Sequence, residues 1–340
     1  AASDVYKRQS LRNTGFEVEG NLSLIRNPKG FNWDFSFNAS LVHNKIIKLP
    51  YNGNENNRQG GTQVFDPKTQ QVIWVGGYQE GHTMGDIYAY KQVKILSDWN
   101  EVNTMAGNYI DMIAGLYGPN VSDADKKKYG LTKPIEPGDV LWADLDGNHK
   151  IDQLDRVKVG NIYPKWTGGF STTLSYKNVS LYGRFDFALG HTILNMVAMR
   201  SLGQSVGFKN IIKEGLKTWT EENTNTDLPK SYYDDSTNKK NIYRDTKGSD
   251  ITSVNDRSSR FYEKGDYLAL RELTLNWKLP VNWISKVGMT NASVYITGQN
   301  LFYITGYSGS SPEAPLTYPG VDAGRYPTPR TVLVGASISF

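Results

Sequence analysis

The chain has 340 residues with 38 Lys and Arg against 34 Asp and Glu, a formal net charge of +4, and no cysteine. The lack of cysteine excludes disulfides and thiolate metal sites, and the charges form no basic block of the kind that binds nucleic acid. Hydrophobic residues make up only 38% of the chain and the mean hydropathy is −0.51, which is low for the core of a soluble domain of this size. These values are typical of a β-barrel with a polar interior and long loops, and no apolar run is long enough for a membrane-spanning helix.

Residues 1–9, AASDVYKRQ, show neither hydrophobic periodicity nor turn residues. All nine codons can be read from the adapter DNA used in transposase-based sequencing libraries. We therefore expect these residues to be non-native, a naturally disordered start being the alternative. On this interpretation the native chain begins upstream, and the lack of a signal peptide does not bear on localisation.

Two long strands are predicted next. In residues 31–41 every second residue from Phe31 to Leu41 is apolar, and the residues between them are Asn, Asp or Ser. Strict alternation places the apolar side chains on one face of a strand. Eleven residues extend about 36 Å, enough for a tilted strand to cross an apolar band about 25 Å tall. Residues 15–25 repeat the pattern and lead into a tight turn at residues 27–30, which predicts a hairpin.

The segment at residues 45–165 is too long to be structureless in a compact protein, so we expect it to contain strands or helices of its own. Its aromatic side chains are candidate substrate-binding residues, because sugar rings stack on aromatic faces: Trp74, Tyr78, Tyr88, Tyr90 and Trp99. Packing of this segment against the barrel interior is an equally good interpretation.

Residues 144–155 have the spacing of a calcium-binding loop. Oxygen ligands fall at loop positions 1, 3, 5, 9 and 12, and position 7 offers a backbone carbonyl: Asp144, Asp146, Asn148, Asp152 and Asp155, with Lys150 at position 7. Ca²⁺ takes six to eight oxygens, and this spacing wraps them around one point. The pattern departs from an EF-hand at His149, where a glycine makes the turn, and at Asp155, where the bidentate ligand is Glu. Mg²⁺, or a solvated turn held by Asx hydrogen bonds, are the alternatives.

No catalytic site is predicted. The acid pairs Glu221–Glu222 and Asp234–Asp235 are adjacent in polar loops, whereas a glycosidase needs two carboxylates at a defined separation across a cleft. With four His and no Cys, the chain also lacks material for a catalytic metal site or a thiol nucleophile. We therefore expect a protein that is not an enzyme.

Further strands are predicted at residues 166–176 and 179–190, joined by the two residues Lys177 and Asn178. In the second strand Arg184 and Asp186 share the polar face, where they can stay hydrated in a lumen. A basic group on the lipid face would cost about 2–4 kcal/mol at mid-depth. Later strands are predicted at residues 266–279, 292–304 and 331–340, with a short helical patch at residues 281–287.

The last strand ends on an aromatic residue. Its apolar row alternates with small or polar residues up to the terminus: Val332, Val334, Ala336, Ile338 and Phe340. Terminal residues of soluble proteins usually fray, whereas the last strand of an outer-membrane barrel must pair, and its interface carries aromatic side chains.

The connections between these seven strands also alternate in length. Short ones at residues 26–30, 177–178 and 280–290 alternate with longer ones at residues 45–165, 191–265 and 305–329. Outer-membrane barrels have short periplasmic turns and long extracellular loops. The sequence therefore predicts an all-β fold, a partial transmembrane β-barrel whose long loops are extracellular, with an unpaired edge at its N-terminal side.

Five stretches resemble the SusC/RagA-type TonB-dependent outer-membrane transporters. Residues 161–170 resemble the family's "GNxxPKWxGGF", residues 267–277 its "FLRLRxLTLxY", and residues 294–302 its "VYxxGQNLF". Residues 307–313 resemble its "YxGxDPE" loop, with Ser311 in place of the acid, and residues 326–340 its "YPxxRxxxxGxxxxF" ending. The stretches occur in the family's order from about residue 11 to 340.

The resemblance implies that residues 10–340 form the C-terminal part of such a barrel, without the plug domain and earlier strands. It implies active import of oligosaccharides or peptides, powered by a TonB complex, with a SusD-like lipoprotein over the extracellular mouth in a Bacteroidetes-type outer membrane. It also implies that the barrel-assembly machinery reads Phe340 as a signal. The alternatives are a TonB-dependent siderophore or cobalamin receptor and a secreted, calcium-stabilised glycan-binding β-protein.

Overall fold

The computed structural model describes residues 9–51, 53–54, 57–202, 212–231, 242–244, 251–253, 258–313 and 320–340. Its first half contains these elements: β1 (Ser10–Ile25), β2 (Phe31–Lys48), β3 (Arg58–Gln59), β4 (Thr62–Asp66), β5 (Gln71–Val75), β6 (Tyr78–Gln79), β7 (Asp86–Tyr90), β8 (Gln92–Ile95), α1 (Trp99–Met105), β9 (Ile110–Asp111), β10 (Leu116–Tyr117), α2 (Asp123–Tyr129), β11 (Lys133–Pro134), β12 (Val140–Trp142), β13 (Lys150–Ile151) and β14 (Arg156–Asn161). The second half contains the rest: β15 (Trp166–Tyr176), β16 (Val179–Leu189), β17 (Thr192–Asn195), α3 (Met196–Leu202), β18 (Ile242–Arg244), β19 (Ile251–Ser253), β20 (Tyr262–Lys264), β21 (Tyr267–Lys278), α4 (Val281–Ile284), β22 (Asn291–Thr305), β23 (Val321–Asp322) and β24 (Thr331–Ser339). Short 3₁₀ turns lie at Gln153–Asp155, Lys213–Lys217, Ser259–Phe261 and Ser285–Val287.

Seven long strands form one antiparallel sheet in the order β1-β2-β15-β16-β21-β22-β24. Their lengths run from 9 residues in β24 to 18 in β2. Most are therefore longer than the usual strand of a globular domain. Within the described residues β1 and β24 lie at opposite edges and do not pair with each other. All seven predicted strands are present, and the prediction of an all-β partial barrel is confirmed. The strands β1 and β2 extend several residues further than predicted, to Ser10 and to Lys48.

The sheet has one apolar and one polar face, because the strands pair in a register that aligns their alternating patterns. Phe37 pairs with Phe170, and Phe170 with Phe185, so aromatic rings run across three strands. The rings of Phe170 and Phe185 stack with centroids 4.5 Å apart. On the other face, Ser171 pairs with Arg184, and Arg184 with Glu272. The apolar face suits lipid and the polar face a hydrated lumen.

The three short connections lie at one end of the sheet, and the three long ones at the other, because all six neighbouring pairs are antiparallel. The turn after β15 is the two-residue connection that the sequence predicts, and Lys177 there has a φ of 51°. The helical patch before β22 is present as α4 and the following 3₁₀ turn. None of the helices in the described ranges is long and apolar enough to cross a bilayer.

The long connection between β2 and β15 folds into a lobe with its own core, as expected for a segment of this length. Its described residues form twelve short strands and two helices. Its buried cluster includes Leu96, Val102, Trp142 and Ile151, and Trp219 from the connection after β16 packs into the same cluster. Of residues 1–9, for which the sequence predicts a non-native origin, only Gln9 lies within the described residues.

Candidate functional site

The polar face of the sheet carries a groove of about 460 Å³. Its lining combines amide, hydroxyl and charged side chains, among them Asn21, Ser36, Arg184, Asp186 and Arg271. These residues come from β1, β2, β16 and β21, so the groove spans the neighbouring strands of the wall. Arg184 and Asp186 lie on this face, opposite the row of phenylalanines, as the alternation predicts.

A bulge in β21 directs Arg271 into this groove. Leu270 pairs with Phe185 but Glu272 pairs with Arg184, so Arg271 is the extra residue between them. A bulge of this kind changes the direction of a side chain and is frequent next to functional sites. It lets Arg271 and Glu272 both face the lumen, while Leu270 and Leu273 on either side stay in the apolar row.

Arg271 ties together two strands and a loop. Its Nε and Nη2 donate hydrogen bonds to the two carboxylate oxygens of Asp186, the latter at 2.9 Å, and its Nη1 donates to the Tyr303 hydroxyl at 3.0 Å. Nη2 also forms an ion pair with Glu313, which belongs to the connection between β22 and β24. The Arg271 side chain is only 17% exposed. One guanidinium therefore holds this loop against the luminal wall.

Neighbouring contacts fix the same loop. The buried His191 donates from Nε2 to the Pro312 carbonyl at 3.3 Å, and Arg325 donates to the carbonyl of Glu313. The Tyr307 hydroxyl donates to Asp322 at 2.7 Å. Burial lowers the pKa of His191, so its ring is neutral near pH 7 and can keep a single N–H directed at the carbonyl.

The acidic loop at residues 144–155 brings three of its carboxylates together. Ligand atoms of Asp144, Asp146 and Asp155 all lie within 4.8 Å of one another. Asp152 is not in this group, because its carboxylate accepts the Leu154 N–H at 2.7 Å and caps a 3₁₀ turn. The side-chain oxygen of Asn148 accepts the Lys150 N–H at 2.7 Å. The structure thus gathers three of the four carboxylates that the spacing singles out, and the Asn148 side-chain amide donates to the Asp146 carboxylate at 2.8 Å.

Backbone geometry in this loop matches what an oxygen-ligand cage requires. His149 takes a φ of 61°, the left-handed conformation that glycine usually supplies at this loop position. The Asp144 carboxylate stabilises the turn by accepting the N–H groups of Gly147 and His149, each at 2.8 Å. Ile151 is buried in the lobe core and anchors the loop. His149 therefore makes the turn for which the calcium-loop pattern usually has a glycine.

The crowded carboxylates repel one another. Burial, together with the charges of Asp146 and Asp152, raises the pKa of Asp155 to about 6. Burial and the neighbouring Asp144 also raise the pKa of Asp146. Three carboxylates with this mutual repulsion form a donor set of hard oxygens, which is the chemistry that Ca²⁺ and Mg²⁺ prefer.

The aromatic candidates of the first long loop divide into three kinds. Tyr90 is 2% exposed and its ring lies 6.2 Å from that of Trp142, so it is a core residue of the lobe. The Trp74 ring is covered by the guanidinium of Arg58, 3.4 Å from the ring centroid, and burial raises the pKa of the half-buried Tyr88 to about 12. Only Tyr78 and Trp99 expose their rings to solvent. Packing therefore accounts for Tyr90, and the exposed pair remains available to a ligand.

The remaining candidates stay separate from these clusters. Phe340 is exposed at the edge of the sheet, directly after β24. Glu221 and Glu222 are exposed in a turn, whereas Asp234 and Asp235 lie outside the described residues. The luminal cluster around Arg271 and Glu313 is a site that the predicted residues did not include. Its signal in the sequence is the one-residue slip of the apolar pattern between Leu270 and Leu273, which marks the bulge.

Relatives of the chain are TonB-dependent receptors, although no protein-family model matches it. The TonB-dependent receptor P3 of Formosa agariphila is 30% identical over 348 residues, which cover 100% of this chain and 30% of the relative. The TonB-dependent receptor SusC of Bacteroides thetaiotaomicron is 25% identical over 343 residues, covering 97% of this chain and 26% of the relative.

Solved structures show the same fold. The RagAB peptide transporter matches with a TM-score of 0.64 and 22% identity, covering 98% of this chain and 30% of that chain. The RagAB peptide importer in its closed-closed state matches with a TM-score of 0.60. The chain spans about 30% of the length of the proteins it matches. Over that stretch it belongs to the SusC/RagA-type TonB-dependent receptors of the outer membrane.

Proposed function

We propose that the chain forms part of the wall of a TonB-dependent importer of oligosaccharides or peptides. The observation that carries the proposal is the luminal groove of about 460 Å³, in a chain that aligns over its whole length with TonB-dependent receptors. Its mixture of amides, hydroxyls and charges can exchange hydrogen bonds with a polar cargo as that cargo passes. An apolar lumen could not, because each unpaired polar group of the cargo would cost about 1–3 kcal/mol.

One cargo class, peptides, follows from a solved structure, and the other, oligosaccharides, follows from the resemblance in the sequence. The RagAB structure is that of a peptide transporter, and SusC is named as a TonB-dependent receptor. Sugar rings and peptide side chains both stack on exposed aromatic rings, so Tyr78 and Trp99 are the candidate cargo contacts of the first long loop. The resemblance in the sequence implies oligosaccharides or peptides without separating them, so both classes are proposed, and the uptake experiment below distinguishes them.

Partners follow from the same family. We place a SusD-like lipoprotein over the end of the sheet that carries the long loops, and a TonB complex on the side of the short turns. The barrel-assembly machinery would read the terminal strand with Phe340. No nucleic-acid partner is proposed, because the basic residues are dispersed along the chain.

The loop at residues 144–155 is proposed to hold Ca²⁺. The carboxylates of Asp144, Asp146 and Asp155 supply the oxygens, and the backbone carbonyl of Lys150 with Asn148 and Asp152 would complete the shell after small rotations. Burial is the main cause of the raised pKa of Asp155, and a bound cation would offset both this burial and the repulsion from Asp146 and Asp152. It would also tie the loop to the lobe core through Ile151, so its role is to stiffen the lobe.

Two alternative functions can be distinguished from this one by cargo and by the need for detergent. A siderophore or cobalamin receptor would have the same wall but a different cargo, and a secreted glycan-binding protein would need no detergent. The relatives are named as receptors or transporters, and no enzymatic activity is proposed.

Uptake by whole cells tests the proposal. A strain that lacks the complete gene would be complemented with the wild-type gene and supplied with labelled oligosaccharides, peptides, a ferric siderophore and cobalamin. Uptake of an oligosaccharide or peptide that depends on both the gene and TonB supports the proposal. Uptake of only the siderophore or cobalamin, or uptake that persists without TonB, contradicts it.

A further inference from the structure

A second groove, of about 620 Å³, lies on the lobe at the acidic loop. Three parts of the lobe that are distant in the sequence meet there: the hairpin of β4 and β5, the 3₁₀ turn at Gln153–Asp155, and the paired strands β7 and β14. None of its lining residues also lines the luminal groove. The lobe groove is therefore a separate surface, on a connection at the long-loop end of the wall.

The half-buried Arg156 brings a positive charge into the lobe groove. It begins β14 and pairs with Tyr90 of β7, so the two side chains lie on one side of the strand pair, with the Arg156 Cζ 5.3 Å from the centroid of the Tyr90 ring. Across the described ranges the Arg156 side chain forms neither an ion pair nor a hydrogen bond. Of its nitrogens only Nε is shielded from solvent, so the two terminal nitrogens are open to a ligand.

Two amide side chains line the lobe groove together with this guanidinium. Gln63 comes from β4 and Gln153 from the 3₁₀ turn, and neither amide has a hydrogen-bond partner in the part of the chain that the structure describes. Asp152 supplies a carboxylate, which accepts the Leu154 N–H at 2.7 Å and does not pair with Arg156. The lobe groove thus offers one unpaired cation beside donors and acceptors that suit hydroxyl groups.

The remaining lining is apolar, and the turn that carries part of it is held in place. Val72, which is 47% exposed, and Leu154 present hydrocarbon to the lobe groove. The Asp155 carboxylate accepts the N–H groups of Leu145 and Asp152 at 2.8 and 2.9 Å, so the 3₁₀ turn is fixed at both ends. A ligand would therefore meet a wall that is already ordered, which lowers the entropy cost of binding.

We propose that the lobe groove binds the carboxylate of an acidic sugar residue in an oligosaccharide cargo. Arg156 donates two hydrogen bonds to the carboxylate, because its planar fork matches the two oxygens. Gln63 and Gln153 exchange hydrogen bonds with ring hydroxyls, and Val72 contacts the C–H face of the ring. A neutral sugar would leave the guanidinium without a counter-charge. The proposal rests on the import of oligosaccharides proposed above and adds a preference for acidic ones.

Calorimetric titration of the complete transporter tests the proposal. The probes are a tetrasaccharide with one glucuronate, the methyl ester of the same sugar, and tetra-alanine, a peptide with one free carboxylate. The Ca²⁺ concentration is held constant, because Asp152 belongs to both the acidic loop and the lobe groove. The wild type should bind the acid about tenfold or more tightly than the ester, since only the acid gains charge-assisted hydrogen bonds.

Three variants locate the site. Arg156→Gln should weaken binding of the acid about tenfold to a hundredfold and leave the ester unchanged. Lys158→Gln is the matched control, because it removes the same charge from the same strand but outside the lobe groove, where Lys158 pairs with Asp86 at 2.7 Å. It should match the wild type. Gln153→Ala changes an exposed side chain and should weaken the acid and the ester alike.

Equal affinity of the wild type for the acid and the ester would overturn the proposal, as would tighter binding of tetra-alanine than of the acid. Unchanged affinity for the acid in Arg156→Gln would do the same, or in Gln153→Ala should the first variant not fold. Whole-cell uptake separates these results from the proposed function. Import that depends on the gene and on TonB, without a preference for the acid over the ester in the titration, leaves the proposed function standing and removes only the lobe groove.

Discussion

Replacing Arg271 by methionine should release the loop between β22 and β24 from the luminal wall. Methionine keeps much of the length of the side chain but removes all the donors that bind Asp186, Glu313 and Tyr303. Two carboxylates then face the same space without a counter-charge. Glu313 is the partner that can move, because it lies in a loop, whereas Asp186 is fixed in β16.

The magnitude follows from the burial of the three charges. Removing one partner of a fully buried ion pair costs about 3–5 kcal/mol, and an exposed pair contributes about 0–1 kcal/mol. Arg271 is 17% exposed, but the side chains of Asp186 and Glu313 are 36% and 30% exposed. Screening by water at the carboxylates places the cost between these limits, at about 2–3 kcal/mol. At about 1.4 kcal/mol for each factor of ten, the open state of the loop should be roughly 30- to 150-fold more populated in the variant than in the wild type.

Hydrogen exchange of the complete protein measures this population. Peptides that cover residues 306–313 should lose protection by that factor in Arg271→Met, while peptides from the core of the lobe keep theirs. Arg184→Met is the matched control, because Arg184 lies on the same luminal face but forms no ion pair among the described residues. Unchanged exchange of the loop in Arg271→Met, or an equal loss in the control, would refute the reasoning.

Three further changes test other parts of the molecule. Phe340→Ala should lower the amount of protein in the outer membrane, measured by surface labelling, because we propose that this residue is read during assembly. Its packing contributes at most a few kcal/mol, and normal abundance with lost uptake would contradict the proposed role. Asp146→Ala should weaken Ca²⁺ binding about tenfold or more in a calorimetric titration, since each carboxylate tunes the affinity of such a loop. The control Asp123→Ala, on the exposed helix α2, should bind Ca²⁺ as the wild type does. Equal binding heats in the two variants would exclude the cage. Burial raises the pKa of Asp111 to about 6, so its contribution to stability is complete below about pH 4 and is lost as the pH rises through about 6. Asp111→Asn should remove this part of the pH dependence of thermal unfolding, and a slope identical to wild type would contradict the assignment.

The seven-stranded wall could be predicted because the period of a strand is local. Each strand from residues 31–41 onward carries its own alternation, and the turn residues between them fix the connections. The ends of β1 and β2 were predicted too short, because residues 10–14 and 42–48 lack strict alternation. Ser10 pairs with Lys48, so the strands extend through their pairing with each other.

The long connection could be predicted only as a folded unit. Its strands have two to six residues and exist through distant partners, as in the pairing of Val140 with Ile95. No period is visible in so few residues. Likewise the spacing of the acidic loop shows which side chains can share a cation, but not that Asp152 caps a 3₁₀ turn.

The luminal cluster shows the limit of sequence patterns most clearly. The slip between Leu270 and Leu273 is visible in the sequence and marks the bulge that directs Arg271 inward. Its partner Glu313 lies 42 residues away and is chosen by the path of a loop. A contact of this kind depends on the tertiary fold that brings the loop back over the wall.

Accessibility of single cysteines in intact cells tests the central claim, that the sheet crosses the outer membrane with its long loops outside. The chain has no cysteine, so Lys127→Cys in the lobe and Lys29→Cys in the first short turn each give one thiol in this region. A membrane-impermeant maleimide should label Lys127→Cys in intact cells and Lys29→Cys only after the outer membrane is permeabilised. Equal labelling of both positions in intact cells would contradict the account.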